Sequence, residues 1–198
     1  MQGRASQVSD LGDGTVLRRG GDPEREAMLM ALAAAHGVRV PRVLELRGDA
    51  MVMERVDGPT MDAALRRRPW RLRRQVEVLA RLHARVHRVP LDGASLLHLD
   101  LHPQNVLLAA DGPVLIDWTN ARAGDPAADV ALTWLILATS GGLGGRVLAA
   151  AFRSRVGADA IHAGLWEARA FRLADPNVTD AERARVLRAV PERRILGR

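Results

Sequence analysis

The segment His98–Asp117, with the sequence HLDLHPQNVLLAADGPVLID, carries most of the information about fold and chemistry in this chain. It contains two apolar runs, Val106–Leu108 and Val114–Ile116, separated by an Asp-Gly pair of the kind that favours a hairpin turn. We therefore predict two antiparallel strands joined by this turn. Polar side chains lie in the loop before the first strand and directly after the second.

Three of these polar side chains carry oxygen atoms suited to phosphate chemistry. Asp100 and Asn105 lie five residues apart in the loop, and Asp117 follows the second strand. Carboxylate and amide oxygens are ligands that Mg²⁺ takes together with substrate phosphates, which suits Asn105 and Asp117. Asp100 is then left to act on the nucleophile. This arrangement predicts a phosphoryl-transfer loop; the alternative is a hairpin whose turn is merely rich in Asp, His and Asn.

The motif H-x-D-x-x-x-x-N followed by I-D-W resembles the catalytic and metal loops of the aminoglycoside phosphotransferase and choline kinase-like family. The resemblance implies that Asp100 accepts the proton of the substrate hydroxyl and that Asn105 and Asp117 hold the metal ion. It also implies that His98, as part of the catalytic motif, packs beneath the loop. The pair His102-Pro103 matches the H-P often found in small-molecule kinases of this group.

That family has the protein-kinase-like fold, so the resemblance implies an α+β protein with two lobes. We expect a truncated, β-rich N-terminal lobe over residues 1–56, made of a hairpin, a helix, a second hairpin and a hinge. Residues 57–198 are expected to form a mainly helical C-terminal lobe that carries the catalytic and metal loops. A chain of 198 residues is long enough for two small lobes that share a cleft.

The composition limits the cellular setting that we expect. The chain has no cysteine, which excludes disulfides and thiolate metal sites and agrees with a reducing cytoplasm. The N-terminus lacks an apolar targeting segment, and the longest apolar run, near Val130–Ala138, is too short to span a bilayer. We predict a soluble, cytoplasmic protein with no membrane partner.

The formal net charge of +6 is compatible with nucleic-acid binding, because arginines neutralise phosphates. However, all 29 basic residues other than histidine are arginine, which indicates GC-rich coding more than a selected binding patch. Tyr is absent and Phe occurs only twice, so a platform for stacking bases is hard to assemble. We predict solvated arginine faces and no nucleic-acid partner.

The N-terminal hairpin, predicted from Ala5–Val8 and Thr15–Arg19, places Arg18 where the family has a Lys that touches the nucleotide phosphates. Arg keeps the charge but is bulkier and planar. A helix is predicted from Pro23 to His36, and the resemblance makes Glu26 on this helix the partner of Arg18. The alternatives are a solvent-facing Arg18 and a Glu26 that only complements the helix dipole.

A second hairpin is predicted from Val43–Leu46 and Ala50–Glu54. The segment Met51–Gly58 resembles the hinge of the family, whose main chain receives the adenine. The resemblance therefore implies that Glu54 and Val56 are nucleotide-binding residues.

Two further features of this lobe concern the nucleotide. Met51 and Met53 share one strand face, so they either line an adenine pocket or fill the core. The glycine-rich G-x-G-x-x-G loop of kinases is absent, which leaves the main-chain N–H groups near Gly12 and Gly14 to cradle a phosphate.

The C-terminal lobe is predicted to be mostly helical. Apolar periodicity and capping residues predict helices over about residues 61–67, 69–87, 127–138, 143–155, 158–174 and 180–190, with an irregular loop over Trp118–Pro126. The helix over residues 127–138 is apolar on nearly all sides and should be the buried centre of this lobe. At its start, the resemblance implies that Asp129 accepts hydrogen bonds from the catalytic-loop main chain; the alternative is a helix N-terminal charge.

His83 and His87 are four residues apart on a predicted helix, a spacing that suits metal ligands. No third ligand is expected nearby, so packing or a helix-end charge is the favoured interpretation. The arginines of this helix are expected mostly on its outer face: Arg71, Arg73, Arg74, Arg81, Arg85 and Arg88.

The functional prediction is an ATP- and Mg²⁺-dependent phosphotransferase that moves the γ-phosphoryl group to a hydroxyl of a small molecule. The alternative, motivated by the shortened N-terminal lobe and by Arg18, is a catalytically weak or inactive kinase-like nucleotide-binding module. A protein kinase is less favoured, because no D-F-G or A-P-E motif lies between Asp117 and the core helix. Acidic residues are sparse in the C-terminal helices, which argues against an aminoglycoside acceptor. The sequence predicts neither the acceptor nor the oligomeric state.

Overall fold

The computed structural model describes residues 7–191, so Ala5 and Ser6 of the predicted first strand lie outside the described residues. The N-terminal lobe is a four-stranded antiparallel sheet with one helix against it. Its elements are β1 Gln7–Asp10, β2 Thr15–Arg19, α1 Pro23–Ala35, β3 Val43–Arg47 and β4 Ala50–Glu54, with the strand order β1-β2-β4-β3.

Helix α1 begins and ends where its capping residues predict. The Asp22 side chain accepts a hydrogen bond from the main-chain N–H of Arg25, and Pro23 follows at the first helical position. Gly37 follows the helix with a φ of 79°, a conformation that glycine adopts without strain. Because Leu29 and Met30 are buried, the helix packs one face against the sheet.

The C-terminal lobe is mainly helical, as predicted. Its elements are α2 Met61–Arg67, a 3₁₀ turn Pro69–Arg71, α3 Leu72–Val86, β5 Pro90–Leu91, β6 Ala94–Leu97, β7 Val106–Ala109, β8 Gly112–Leu115, β9 Arg122–Gly124, α4 Pro126–Ser140, α5 Gly142–Val156, α6 Ala158–Ala174 and α7 Asp180–Ala189. Within residues 7–191, no helix combines the length and apolar composition that a membrane span needs.

The predicted hairpin of the catalytic segment is present as β7 and β8, paired antiparallel. The prediction of an irregular loop after Asp117 is wrong in part, because β9 lies there and pairs with β6. The sequence Arg-Ala-Gly has no strand signature, and its pairing depends on a distant partner. Gly124 packs closely against β6, since a Cβ there would lie 2.6 Å from Leu97 Cδ1 and the leucine side chain would have to shift.

Helix α4 is the buried centre of the C-terminal lobe, as its composition predicts. Most of its residues from Ala128 to Leu137 are buried, and it packs against α5 and α6. All six arginines expected on the outer face of the α3 region are exposed. The core therefore supports the segment between α3 and α4, which carries Asp100, Asn105 and Asp117.

Candidate active site

A cavity of about 240 Å³ lies between the two lobes. Its walls are apolar, and its polar end is formed by Arg18, Asn105 and Asp117. The predicted hinge residues Glu54 and Val56 also line it. Met51 is buried in the core, as one of the two alternatives predicted, whereas Met53 is buried and also lines the cavity.

The hinge is packed tightly against the hairpin of the C-terminal lobe. Gly58 adopts a φ of 151°, and a Cβ at this position would lie 2.5 Å from the main-chain oxygen of Leu108. The N–H of Leu108 also donates to the oxygen of Pro59. These contacts fix the hinge to β7, one of the strands that line the cavity.

Left-handed backbone conformations occur in the predicted catalytic loop, which precedes β7, and in the predicted metal loop, which follows β8. Leu99 has a φ of 58° and Asp117 a φ of 62°, which are uncommon for residues other than glycine. Such conformations persist only where surrounding contacts hold them. Contacts with Asp129 and His98 hold the loop that contains Leu99. Contacts with Arg18 and Glu26 hold the loop that contains Asp117.

Asp129 lies beneath the catalytic loop and is fully buried. Its Oδ1 accepts from the N–H of Leu99 at 2.8 Å, and its Oδ2 accepts from the N–H of His98 at 3.1 Å. The contacts implied by the resemblance are therefore present. Burial favours the neutral acid, but the neighbouring imidazoles of His83 and His87 outweigh it and hold the pKa of Asp129 well below its usual value.

His98 is fully buried, so it does not reach a substrate. Its Nδ1 accepts from the N–H of Asp100 at 3.2 Å, and its Nε2 lies 3.2 Å from the main-chain oxygen of Ile116, to which it donates. Burial lowers the pKa of His98, which keeps the ring neutral as these two bonds require. Although the motif placed His98 in the catalytic set, its contacts make it a positioning residue that ties Asp100 to the strand before Asp117.

The carboxylate of Asp100 has a hydrogen-bond donor on each oxygen. His102 Nε2 lies 3.2 Å from Oδ1, and Asn105 Nδ2 lies 2.8 Å from Oδ2. Burial raises the pKa of Asp100, but the hydrogen bond and charge of His102, with help from His98 and Asn105, outweigh it and lower the pKa overall. The group is therefore an ionised carboxylate at neutral pH.

Asn105 connects this carboxylate to the cavity. Its Nδ2 donates to both the main-chain oxygen and the carboxylate of Asp100, which turns the amide oxygen away from Asp100. Its main-chain oxygen accepts from the N–H of Ile116 at 3.0 Å, so it sits beside the residue that precedes Asp117. The structure thus brings Asp100, Asn105 and Asp117 together. The amide oxygen and the Asp117 carboxylate are a donor set that fits Mg²⁺.

Arg18 is buried at the polar end of the cavity and contacts three side chains. It forms the expected ion pair with Glu26, so the solvent-facing alternative is wrong. It also donates to Asp117 Oδ1 at 3.0 Å and to the hydroxyl of Thr119. Because Thr119 in turn donates to Asp117 Oδ1 at 2.7 Å, these contacts fix the Asp117 carboxylate.

Glu26 has a second contact besides the ion pair. Its Oε1 accepts from the N–H of Trp118 at 3.0 Å, directly after Asp117. Burial raises the pKa of Glu26, with Asp117 acting in the same direction and Arg18 opposing it. Glu26 therefore links α1 to the metal loop instead of only complementing the helix dipole.

The glycines of the N-terminal hairpin do not reach the cavity. The N–H of Gly12 donates to Asp10 Oδ1, and neither Gly12 nor Gly14 lines the cavity. The hypothesis that this turn cradles a phosphate is therefore unsupported. Hydrogen bonds lower the pKa of Asp10, at the end of β1, chiefly from Gly12, and the pKa of Asp13, in the turn, chiefly from Thr15.

Sequence reasoning missed the contribution of two site residues. Thr119 gave no signal, because its contact with Arg18 spans 101 positions. His102 was noted only as part of a motif, although its spacing from Asp100 brings the ring to the carboxylate.

Comparisons with known proteins agree with this geometry. Residues 87–172, which include the catalytic and metal loops, match the family model described as "Phosphotransferase enzyme family". Comparison with curated protein sequences gives no match. The fold is that of two-lobed phosphotransferases, and the resemblance to the aminoglycoside phosphotransferase and choline kinase-like family is confirmed.

Solved structures with the same fold cover most of this chain. Aminoglycoside phosphotransferase APH(4)-Ia is 15% identical with a TM-score of 0.72, over 97% of this chain and 93% of that chain. An ethanolamine kinase of Plasmodium vivax is 9% identical with a TM-score of 0.63, over 93% and 81%. A choline/ethanolamine kinase family protein of Mesorhizobium loti is 21% identical with a TM-score of 0.55, over 94% and 83%. At these identities the likeness concerns the fold.

Proposed function

We propose that this protein transfers the γ-phosphoryl group of ATP to a hydroxyl group of a small molecule. The observation that carries the proposal is the ionised carboxylate of Asp100, held by two donors, beside a cavity that ends in Asn105 and Asp117. A base next to a metal-competent pair of oxygen ligands is the arrangement that phosphoryl transfer needs.

The cavity between the lobes is the proposed nucleotide site. Its apolar walls suit an adenine, and Glu54 and Val56 supply main-chain groups at the hinge. A thermostable mutant of APH(4)-Ia was solved in a ternary complex with AMP-PNP and hygromycin B, so a protein of this fold binds a nucleotide and a small-molecule substrate together.

Asn105 and Asp117 are the proposed ligands of Mg²⁺. When bound, the ion would neutralise charge on the β- and γ-phosphates. Arg18 lies next to Asp117 and adds a permanent positive charge at the same end of the cavity. Its buried pair with Glu26 keeps the guanidinium in place.

In the proposed reaction, the acceptor oxygen attacks the γ-phosphorus while Asp100 accepts the hydroxyl proton. The bond from the γ-phosphorus to the bridging oxygen breaks, and ADP leaves. His98 and Asn105 hold Asp100 in position. The rate of the proposed reaction would come mainly from this orientation and from neutralisation of the phosphate charge.

The acceptor is proposed to be something other than a polycationic aminoglycoside. Three acidic side chains of the C-terminal helices are already paired with arginines: Glu167 with Arg122, and both Asp175 and Glu182 with Arg172. They offer little uncompensated negative charge to a cationic sugar.

A nucleotide-binding module with little catalytic activity is the second candidate. Two observations favour it: Arg18 already bonds Asp117, and the glycines of the N-terminal hairpin do not line the cavity. The rate of ATP hydrolysis without an acceptor distinguishes the two candidates. An active enzyme should hydrolyse ATP faster than Asp117→Ala does, whereas an inactive module should show the same rate as this variant.

Binding of MgATP is the first test of the proposed function. We expect MgATP at 100 times its Kd to stabilise the wild-type protein by about 2.7 kcal/mol, measured as a rise in Tm. Asp117→Ala should lose the Mg²⁺-dependent part of this rise because a metal ligand is gone. Asp159→Ala, which removes an exposed carboxylate on α6, is the matched control and should respond like the wild type. An equal response of Asp117→Ala and the control would show that the metal assignment is wrong.

The pH profile tests the role of His102. Since His102 is the main group that lowers the pKa of Asp100, His102→Leu should raise this pKa. The acid limb of kcat/KM should therefore move to higher pH, because Asp100 must be deprotonated to accept the hydroxyl proton. His36→Leu, at the exposed end of α1, is the control. If the acid limb is unchanged in His102→Leu, His102 does not set the pKa of the group that acts as base.

A further inference from the structure

A second cluster of possible metal ligands lies beneath the catalytic loop. His83 and His87 on α3 meet Asp129 on α4, so the expectation that no third ligand lies nearby is wrong. Asp129 Oδ2 is 2.9 Å from His87 Nε2 and 3.6 Å from His83 Nδ1, and the three ligand atoms lie within 4.8 Å of one another. His83 and Asp129 are buried, whereas 11% of the His87 side chain is exposed.

Thr133 fixes the protonation of the His83 ring. The Thr133 hydroxyl donates to the main-chain oxygen of Leu101 at 2.7 Å, so it accepts from His83 Nε2 at 3.0 Å. Nε2 therefore carries the hydrogen, and Nδ1 of the neutral ring has a lone pair.

That lone pair has no hydrogen-bond partner among residues 7–191. It faces the Asp129 carboxylate, an arrangement of two electron-rich atoms that is unfavourable in a buried site. Protonation of Nδ1 would resolve it only by placing a charge on a ring that is 2% exposed. A bound cation resolves it without charging the ring.

We propose that His83, His87 and Asp129 bind one divalent transition-metal ion of the Zn²⁺ class between α3 and α4. Two imidazole nitrogens and one carboxylate oxygen are a ligand set that zinc prefers and that Mg²⁺ does not. Thr133 supplies the hydrogen-bond partner that orients a metal-bound imidazole. The partly exposed edge of His87 leaves a route for the ion and a position for water.

The proposed ion has a structural consequence for the active site. On metal binding, the His87 hydrogen moves from Nε2 to Nδ1, and Asp129 still accepts from the main chain of His98 and Leu99. The ion would therefore stabilise the carboxylate that holds the catalytic loop. It is distinct from the Mg²⁺ proposed at Asn105 and Asp117.

Cobalt titration of nucleotide-free protein tests the proposal independently of catalysis. After dialysis against a chelator, wild-type protein should bind one equivalent of Co²⁺ with the visible absorption of a tetrahedral nitrogen-containing site, and Zn²⁺ should displace it. His87→Gln should abolish these bands, whereas His162→Gln, which removes a histidine on the exposed side of α6, should retain them. Thr133→Val should weaken Zn²⁺ binding by about 10–100-fold, the usual effect of losing a group that orients a ligand.

Three outcomes would overturn the proposal. They are the absence of tetrahedral bands in wild-type protein, equal bands in wild type and in a folded His87→Gln protein, and equal Zn²⁺ affinity in wild type and Thr133→Val. Circular dichroism establishes that each variant is folded. The titration contains no nucleotide, so its result does not depend on kinase activity. If the protein binds the metal but has no kinase activity, the metal site is supported and only the proposed function is contradicted.

Discussion

Replacing Asp100 with asparagine should lower kcat by about two to four orders of magnitude, the usual contribution of a general base. The substitution keeps the size of the side chain but removes the carboxylate that is proposed to accept the hydroxyl proton. Affinity for MgATP should change little, because Asp100 does not line the cavity proposed to bind the nucleotide. Initial rates with a panel of small alcohols, including aminoglycosides, choline and ethanolamine, give the turnover, and calorimetry gives the affinity.

The control for this variant is Asp159→Asn, which removes an exposed carboxylate on α6. It should keep wild-type turnover with every acceptor that the wild type accepts. Wild-type turnover in Asp100→Asn would show that another group takes the proton. A joint loss of turnover and MgATP affinity would mean that Asp100 supports the nucleotide site, contrary to the contacts described above.

The local part of the site could be predicted from sequence because its geometry depends on short separations. Asp100 and Asn105 are five positions apart in one loop, so the sequence alone places them near each other, and the structure adds a hydrogen bond between their side chains. The hairpin after this turn depends on its own apolar runs and its Asp-Gly pair. These features need no information about the rest of the chain.

The contacts of Arg18 were predicted only in part. The pair with Glu26 spans eight positions and was implied by the resemblance to the family. The bonds to Asp117 and Thr119 span 99 and 101 positions and cross between the lobes. A guanidinium has five N–H donors, so it can hold several partners where the lysine of the family offers one compact ammonium.

The contacts between α3 and α4 were not predicted for a related reason. Each helix shows its own periodicity, but the rotation of one helix against the other is set by packing in the assembled core. His87 and Asp129 are 42 positions apart, and nothing in either helix indicates that they face each other. The short strand β9 was missed likewise, because its partner β6 precedes the whole catalytic segment.

Replacing Asp129 with asparagine should lower the free energy of unfolding by about 3–5 kcal/mol, the usual effect of removing one partner from a buried charged network. The carboxylate accepts hydrogen bonds from His98, Leu99 and His87, and an amide cannot accept all three. Urea denaturation followed by circular dichroism measures the loss. A chelator in all samples removes any contribution of a metal ion at this carboxylate.

The matched control is Asp180→Asn, which removes an exposed carboxylate from the first turn of α7. It should cost only about 0.3–1 kcal/mol, the worth of a charge at a helix N-terminus. If Asp129→Asn costs no more than this control, the alternative interpretation of Asp129 as a helix-end charge is correct. A much larger cost supports its role beneath the catalytic loop.

The pH dependence of unfolding gives a second, independent measure of the same carboxylate. The pKa of Asp129 in the folded protein lies well below the value of 3.8 expected for an exposed aspartate. Its stabilising contribution is therefore complete above this value and is lost as the pH falls below it towards the folded-state pKa. In Asp129→Asn this loss cannot occur, so the free energy of unfolding should fall less steeply below pH 3.8 than in the wild type. Equal slopes would mean that the carboxylate titrates alike in the folded and unfolded chains, which its buried hydrogen bonds should prevent.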